Sequence, residues 1–412
     1  MKLNQRGLIL TLLSISGLLY FIANFQRMAI PGAIYNLLEQ ELSVSAPFIT
    51  AFGAIFMYVY AIGQLITGVL VDRYGGLRVI ACGGVIFGLG CLIFPVTSCL
   101  QVMYLSRALM GFGCSMFYLS MVKELKNLYS DKNYGIALSI MLFVGYLGGI
   151  VANAPFVAMM KYMNWHDILL AFAAVIIIAL IVFSSLLPKT KLPETNKEVK
   201  FRLSQFINVL RKKHNRNLFG FACCNYGIAY VIQTIIGKKF LEDYCYMTIA
   251  KAAFILTLMA IIAAAFNIVN ASVCKLCHNH RVIFLKSASV ITFLSLLIIF
   301  LLVLSDIHTS FIAVIFCIIA GNASISSLLI PVIQQSNEES VSVTAVSIMN
   351  FCFFMMVGIL GTLTGIILNL HTHERINGVL VYGRESYLLL FGVFLALSVY
   401  EMYKAAKLSN KY

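Results

Sequence analysis

Charge is what this 412-residue chain has least of: Asp, Glu, Lys and Arg together make up 11% of it. Soluble domains carry about 25%, so a water-solvated globular fold is excluded. The eleven cysteines are mostly singletons inside apolar runs, Cys82, Cys91, Cys114, Cys317 and Cys352 among them, where thiols act as small hydrophobes. No disulfide framework follows. No Gly-x-Ser-x-Gly elbow, phosphate-binding loop or paired-carboxylate site occurs, so nothing argues for an enzyme, and no cofactor is expected. Acids are scarce, 16 against 30 bases. Apart from Glu124, none falls well inside an apolar run.

What the chain has is apolar length, 61% hydrophobic residues. Read against a span of about 20 residues, it divides into twelve predicted helices near 8–35, 47–70, 78–97, 101–123, 134–160, 167–187, 218–237, 249–272, 282–304, 309–333, 343–369 and 386–404. The expected fold is an all-α membrane protein. With the N-terminus inside, the inner segments collect Lys2, Arg6, Arg73, Arg78, Lys126, Lys132, a cluster over 188–217 and the tail lysines. The outer side holds only Lys161, Lys238, Lys239, Lys251, Arg375 and Arg384. This asymmetry places both termini in the cytoplasm and makes the net charge of +14 a matter of topology, which removes nucleic acid as a partner. Lys2, Arg6 and Gly7–Ala23 imitate a signal peptide. The apolar pattern continues through Pro31 and Gly32 without a convincing cleavage site, so an uncleaved first helix is expected.

Composition changes at Pro188. The basic stretch to Asn217 divides the chain into two six-helix halves, 1–187 and 218–412, joined by a linker over 188–217. Phe201, Phe206, Ile207 and Leu210 give the linker an amphipathic face that suits a helix on the membrane surface; a solvated linker is the alternative. Ala137-Leu138-Ser139-Ile140-Met141 is echoed by Ala345-Val346-Ser347-Ile348-Met349, and Arg78-Val79-Ile80 by Arg281-Val282-Ile283, which favours an internal repeat.

Between the second and third predicted helices lies Gly68-Val69-Leu70-Val71-Asp72-Arg73-Tyr74-Gly75-Gly76-Leu77-Arg78, a charged turn that cannot lie in lipid. Its glycines and charges at Gly68, Asp72, Arg73, Gly75 and Arg78 resemble the loop of the major facilitator superfamily. So do Arg107-Ala108-Leu109-Met110-Gly111-Phe112-Gly113 and the six-plus-six layout. The resemblance implies alternating-access transport, a conformational gate at the loop, and an acidic residue, here Asp72, placed at the start of the eleventh helix. In the second half the loop is degraded, with Ala271 for Gly68 and Lys275 for Asp72, which implies an asymmetric gate. A narrower likeness, carried by Phe25–Pro31, Tyr60–Leu65 and Gly145–Pro155, is to bacterial nutrient-uptake facilitators, including phagosomal amino-acid transporters, and more distantly to lysosomal dipeptide carriers. Asn164-Trp165-His166 stands where Gly-Trp-Arg is usual, and Gly145–Pro155 lacks the Gly-Pro pair of drug antiporters.

Ionisable groups inside spans are costly and mark function. Arg27, Arg107 and Lys123 form that set, all cationic. A guanidinium suits a carboxylate or phosphate, so Arg27 and Arg107 are candidate substrate contacts; snorkelling for Arg27 and a structural hub for Arg107 are the alternatives. Lys123, near an inner helix end, reads as a loop or headgroup contact. Tyr60, Gln64 and Thr67 line one face of the second helix, Tyr226, Tyr230 and Gln233 one face of the seventh. Asn225, Asn267, Asn322 and Asn350 add polar points. Of these, Tyr60, Gln64, Tyr226, Tyr230, Gln233 and Asn350 are candidate substrate residues, with interhelical bonding as the alternative. Gly145, Gly148, Gly149 and Ala152 read as close-packing positions or a hinge. Cys274-Lys275-Leu276-Cys277-His278 matches a haem-attachment pattern on the wrong side of the membrane, and zinc there with His280 is a weak alternative.

The expected function is secondary transport of a small polar, carboxylate-bearing metabolite across a bacterial inner membrane by a monomer, whose partners are that substrate and the bilayer. Amino acids or short peptides lead. The alternatives are export of a siderophore or anionic drug, or a transporter-like nutrient sensor. With no acid or histidine evident inside a span, proton coupling stands beside exchange and uniport.

Overall fold

Residues 2–190, 203–278, 280–376 and 378–409 are described by a computed structural model. Backbone amides and carbonyls in hydrocarbon must bond within their own segment, and the apolar runs accordingly fold as helices. In chain order these are α1 (Lys2–Ala29), α2 (Tyr35–Leu42), α3 (Ala46–Tyr74), α4 (Gly76–Ile93), α5 (Leu100–Leu128), α6 (Asp131–Val151), α7 (Ala154–Met159), α8 (Trp165–Leu186), α9 (Leu203–Arg211) and α10 (Lys213–Val231). They continue with α11 (Gly237–Asp243), α12 (Ile249–Leu276), α13 (Arg281–Leu304), α14 (Phe311–Ala323), α15 (Ser326–Gln335), α16 (Glu339–Leu368) and α17 (Arg384–Ala406). A two-stranded antiparallel hairpin, β1 (His373–Ile376) and β2 (Val379–Tyr382), precedes α17. Among the described residues eleven helical segments are long and apolar enough to cross a membrane, and Ile136–Val151 is a shorter apolar helix.

Several helices differ from the sequence expectation at their ends. The first stops at Ala29, before the cis Ile30–Pro31 bond and a 3-10 turn over Gly32–Ile34, rather than reaching residue 35. The seventh does not end at 237: α10 passes through a π-turn at Ile232–Ile236 into α11. Lys238 and Lys239 are therefore buried within a continuous helical segment, not placed on an outer loop. The fifth is broken near Asn153, whose amide donates to the Gly149 carbonyl at 3.0 Å. The tenth breaks between α14 and α15, where Asn270 Nδ2 donates to the carbonyls of Gly321 and Ser324 at 3.2 and 3.0 Å. Side-chain amides thus satisfy groups that a broken helix frees.

Packing sorts the chain into two compact units, Met1–Ala29 with Ile55–Phe201 and Ile30–Ala54 with Arg202–Tyr412. In the first unit α4 and α5 touch backbone to backbone. A Cβ on Gly113 would lie 2.4 Å from the Gly83 carbonyl oxygen and 2.5 Å from the Phe87 nitrogen. Gly148 of α6 similarly faces the Phe21 carbonyl of α1, at 2.2 Å from an added Cβ, as expected of close-packing positions. In the second unit Phe221, Leu285, Val332 and Ile348 share a core with Val209 of the linker helix α9, against which Phe206 and Leu210 also pack, while Ile207 is 41% exposed. Linker residues 191–202, Phe201 included, lie outside the described set. Cys274 is buried in the same core whereas Cys277 is exposed, so the two thiols of the haem-like motif sit in different environments.

Gly113→Ala places a methyl against backbone that cannot turn away, and should cost about 1–3 kcal/mol. Gly17→Ala, with nothing within 4 Å of the added Cβ, should be neutral or gain about 0.5–1 kcal/mol from helix propensity. Thermal melting of the purified variants checks the contrast; equal melting temperatures would refute the backbone contact.

Candidate functional site

In the first unit the last turn of α1 brings polar side chains to α3. Arg27 is half-buried, one guanidinium nitrogen donates to Asn24 Oδ1, and its carbon lies 5.8 Å from the centre of the Tyr60 ring. Gln64 Nε2 donates to the Tyr60 hydroxyl at 2.8 Å, one helical turn along. Tyr60 and Gln64 are 4% and 3% exposed. Arg27 therefore forms one connected group with Tyr60 and Gln64, which lie more than thirty positions further along the sequence. Arg107 is different. It is completely buried, donates to the Gln26 carbonyl at 3.2 Å, and lies 4.6 Å from the centre of the Phe56 ring. Gln26 was not among the expected site residues, yet its side chain is fully buried and neither amide atom has a hydrogen-bond partner among the described residues. Its place beside Arg27 in the sequence was the available signal.

In the second unit Tyr226 and Tyr230 stack with ring centres 5.1 Å apart, and Tyr226 also stacks on Phe353 of α16 at 5.0 Å. Gln233 is buried in the π-turn that follows, and Asn350 is half-buried on α16. The other amides hold helices together. Asn225 Nδ2 donates to Thr292 Oγ1 and to Glu401 Oε1, both at 2.9 Å, and Asn322 Nδ2 donates to Thr292 Oγ1 and the Ala288 carbonyl, both at 2.8 Å.

The loop after α3 is anchored to the end of α5 by two consecutive residues. Lys123 pairs with Asp72 at 2.5 Å, their side chains 33% and 48% exposed. Glu124 Oε1 accepts from the Gly76 and Leu77 amides at 2.7 and 3.3 Å, which caps α4 with a carboxylate where the helix dipole favours one. Gly75 has φ +84°, a conformation open to glycine at no steric cost. Gly68 has open space around it, and Arg73 and Arg78 are exposed, Arg73 lying over Tyr74.

The largest difference from the sequence reading concerns acids. Buried charge is not all cationic. Lys239 pairs with Glu39 at 3.2 Å and with Asp243 at 3.3 Å, all three essentially shielded from solvent. The Tyr382 hydroxyl donates to Glu39 at 2.6 Å, the Tyr387 hydroxyl and the Tyr382 amide donate to Asp243 at 2.9 and 3.1 Å, and Lys239 also donates to Asn36 and the Leu380 carbonyl. Lys238 and Glu242 form a second buried pair at 2.8 Å. This cluster fastens α2, α11 and the β-hairpin to one another within the second unit. Burial pushes the Glu39 carboxyl upward, opposed by the Lys239 ammonium and by the Tyr382 bond. Glu401, five residues before the end of α17, is fully buried as well.

The sequence model of the Major Facilitator Superfamily matches residues 17–362. Characterised protein sequences yield no significant match. Among solved structures, the chain is similar to the nucleoside transporter NupG (15% identity, 97% of this chain and 99% of that one, TM-score 0.72). It is also similar to a bacterial homologue of the human lysosomal transporter Spinster in an inward-facing, unoccupied conformation (15%, 97% and 94%, 0.69). A third likeness is to a POT family transporter in complex with 5-aminolevulinic acid (12%, 93% and 94%, 0.74). At these identities the likeness is one of fold.

Removing one member of a buried charge network strands the others, at a cost of about 3–5 kcal/mol. Lys239→Met should therefore lower the melting temperature sharply, and adding Glu39→Gln and Asp243→Asn should restore most of the loss, a non-additivity diagnostic of direct coupling. A Lys239→Met protein that melts like the wild type would show that the cluster carries no such energy.

Proposed function

The chain belongs to the major facilitator superfamily, a secondary membrane transporter rather than an enzyme, and from that premise we propose that it carries a small polar metabolite bearing a carboxylate or other anionic group. The observation that supports this reading is Arg27. Its guanidinium is half-buried and oriented by neutral groups, the Asn24 amide oxygen and the Tyr60 ring. A guanidinium beside an amide oxygen and an aromatic face presents a planar fork suited to two parallel bonds with a carboxylate. Tyr60 and Gln64 extend the same polar group, while Tyr226, Tyr230, Gln233 and Asn350 supply hydroxyls, rings and amides in the second unit. Arg107, enclosed by Phe56 and the Gln26 carbonyl, holds α1 to α5 rather than meeting cargo directly.

The sequence argument from an all-cationic interior no longer supports an anionic cargo, since Glu39, Asp243, Glu242 and Glu401 are buried as well. Those acids are paired with lysines or enclosed elsewhere, so the ammonium of a zwitterion would meet the phenol and amide oxygens of Tyr60 and Gln64 beside Arg27, an arrangement that suits both ends of such a molecule. Amino acids and short peptides therefore lead over simple organic anions. The loop from Gly68 to Arg78 is the conformational gate, with the Asp72–Lys123 pair as its exchangeable contact. The location is a bacterial inner membrane with both termini in the cytoplasm.

A ligand that prefers the folded state raises the melting temperature. Purified protein screened against amino acids, dipeptides, organic acids and sugar phosphates should respond to a carboxylate-bearing compound, and Arg27→Ala should abolish the response. A panel in which only neutral or cationic compounds stabilise the protein would overturn the proposal.

A further inference from the structure

Four spans of the second unit are joined by one chain of polar side chains: Glu401 of α17, Asn225 of α10, Thr292 of α13 and Asn322 of α14. The bonds are 2.8–2.9 Å long, and Glu401, Asn225 and Thr292 are 0%, 2% and 2% exposed. Glu401 lies five residues before the end of α17, about 7 Å along its axis at 1.5 Å per residue.

The chain is incomplete at one place. Glu401 Oε1 accepts from Asn225, but Glu401 Oε2 and Asn225 Oδ1 have no hydrogen-bond partner among the described residues. Two enclosed acceptor oxygens on bonded neighbours call for a donor or a cation. The described residues supply neither. Among the described residues no Lys, Arg or His forms an ion pair with Glu401, and the nearest base on its own helix, Lys404, has its ammonium over the Tyr400 ring at 5.2 Å. The titratable neighbour on α10 is the Cys224 thiol. α13 contributes Thr292, whose hydroxyl already donates to the Ala288 carbonyl at 3.1 Å. α16 brings apolar side chains, Ile348 and Met349, to the core that holds Ala405. A bare carboxylate in such surroundings is costly.

We infer that Glu401 and Asn225, backed by Thr292, form a buried binding site for a monovalent cation, a proton or a sodium ion. A proton on Oε2 turns one orphaned acceptor into a donor; a sodium ion would take an orphaned oxygen as a ligand. Either ion neutralises the carboxylate. In a secondary transporter such a site is the natural seat of a coupling ion. That consequence rests on the transport reading, but the site itself rests on its own geometry.

The test uses resting protein without cargo, so its failure leaves the proposed transport intact. Infrared difference spectra at neutral pH, wild type minus Glu401→Gln, should show the carbonyl stretch of a protonated carboxylic acid that shifts in D2O, if the ion is a proton. If it is sodium, that band is absent, and NaCl in place of choline chloride raises the melting temperature of the wild type but not of Glu401→Gln. Glu401→Gln keeps an oxygen for the Asn225 amide. Should it nevertheless fail to fold, Asn225→Ala decides: it removes a hydrogen bond to the carboxyl and must shift the acid band or abolish the sodium response. An ionised-carboxylate signal with no sodium dependence would overturn the site.

Discussion

Inside a bilayer no water is at hand to complete a hydrogen bond or screen a charge, so each polar group must find its partner within the protein. That constraint organises this structure at every scale. It puts Asn153 and Asn270 at the two places where predicted spans break, each with its amide on carbonyls of the interrupted helix. It turns Glu124 inward to cap α4. It gathers Glu39, Lys239 and Asp243 into one sealed cluster. Removing any of these partners leaves a group that nothing else can reach.

The same constraint sorts the ion pairs into two kinds. The Asp72–Lys123 pair is a third to a half exposed, and pairs in that setting contribute about 0–1 kcal/mol. The pairs around Lys239 are shut away, and separating them without replacement is several times more expensive. A transporter must visit more than one state whose energies differ by only a few kcal/mol. In the gate proposed above the loop contact is the one that exchanges, while the cluster holds α2, α11 and the hairpin together. Two charged assemblies that look alike in sequence, each a lysine and its acids, thus perform opposite tasks because water reaches only one of them.

The spans and the family were legible because both signals are local. An apolar run of about 20 residues and the Gly68–Arg78 pattern need no knowledge of distant residues. The ends of helices were less legible. Lys238 and Lys239 after an apolar run read as a helix end facing water; Glu242 and Asp243, four positions on, were a local sign of their pairing, but Glu39, 200 positions earlier, and the hairpin that encloses them carry no local sign. Glu401 was set at a margin for the same reason, since its partner Asn225 lies 176 positions away. The hairpin has a local signal, an Asn-Gly pair followed by the β-prone run Val379-Leu380-Val381-Tyr382, set among segments whose apolar runs all favour helix. At the candidate site the Tyr60–Gln64 contact follows from helical spacing. The stacking of Arg107 on Phe56 joins two helices and has no signature in sequence.

Burial also separates the two arginines that composition made equivalent. A guanidinium at zero exposure, bonded to a backbone carbonyl and seated on a ring, has its donors aimed at fixed protein groups; exchanging them for a ligand would reopen the contact between α1 and α5. Arg27 is at the last turn of its helix, half-buried, with the Asn24 amide oxygen three residues away and the Tyr60 ring of α3 beside its guanidinium. Recognition of a mobile cargo needs a charge that the cargo can approach, and cohesion needs one whose partners are distant and fixed. Under the proposed function Arg27 takes the first part and Arg107 the second.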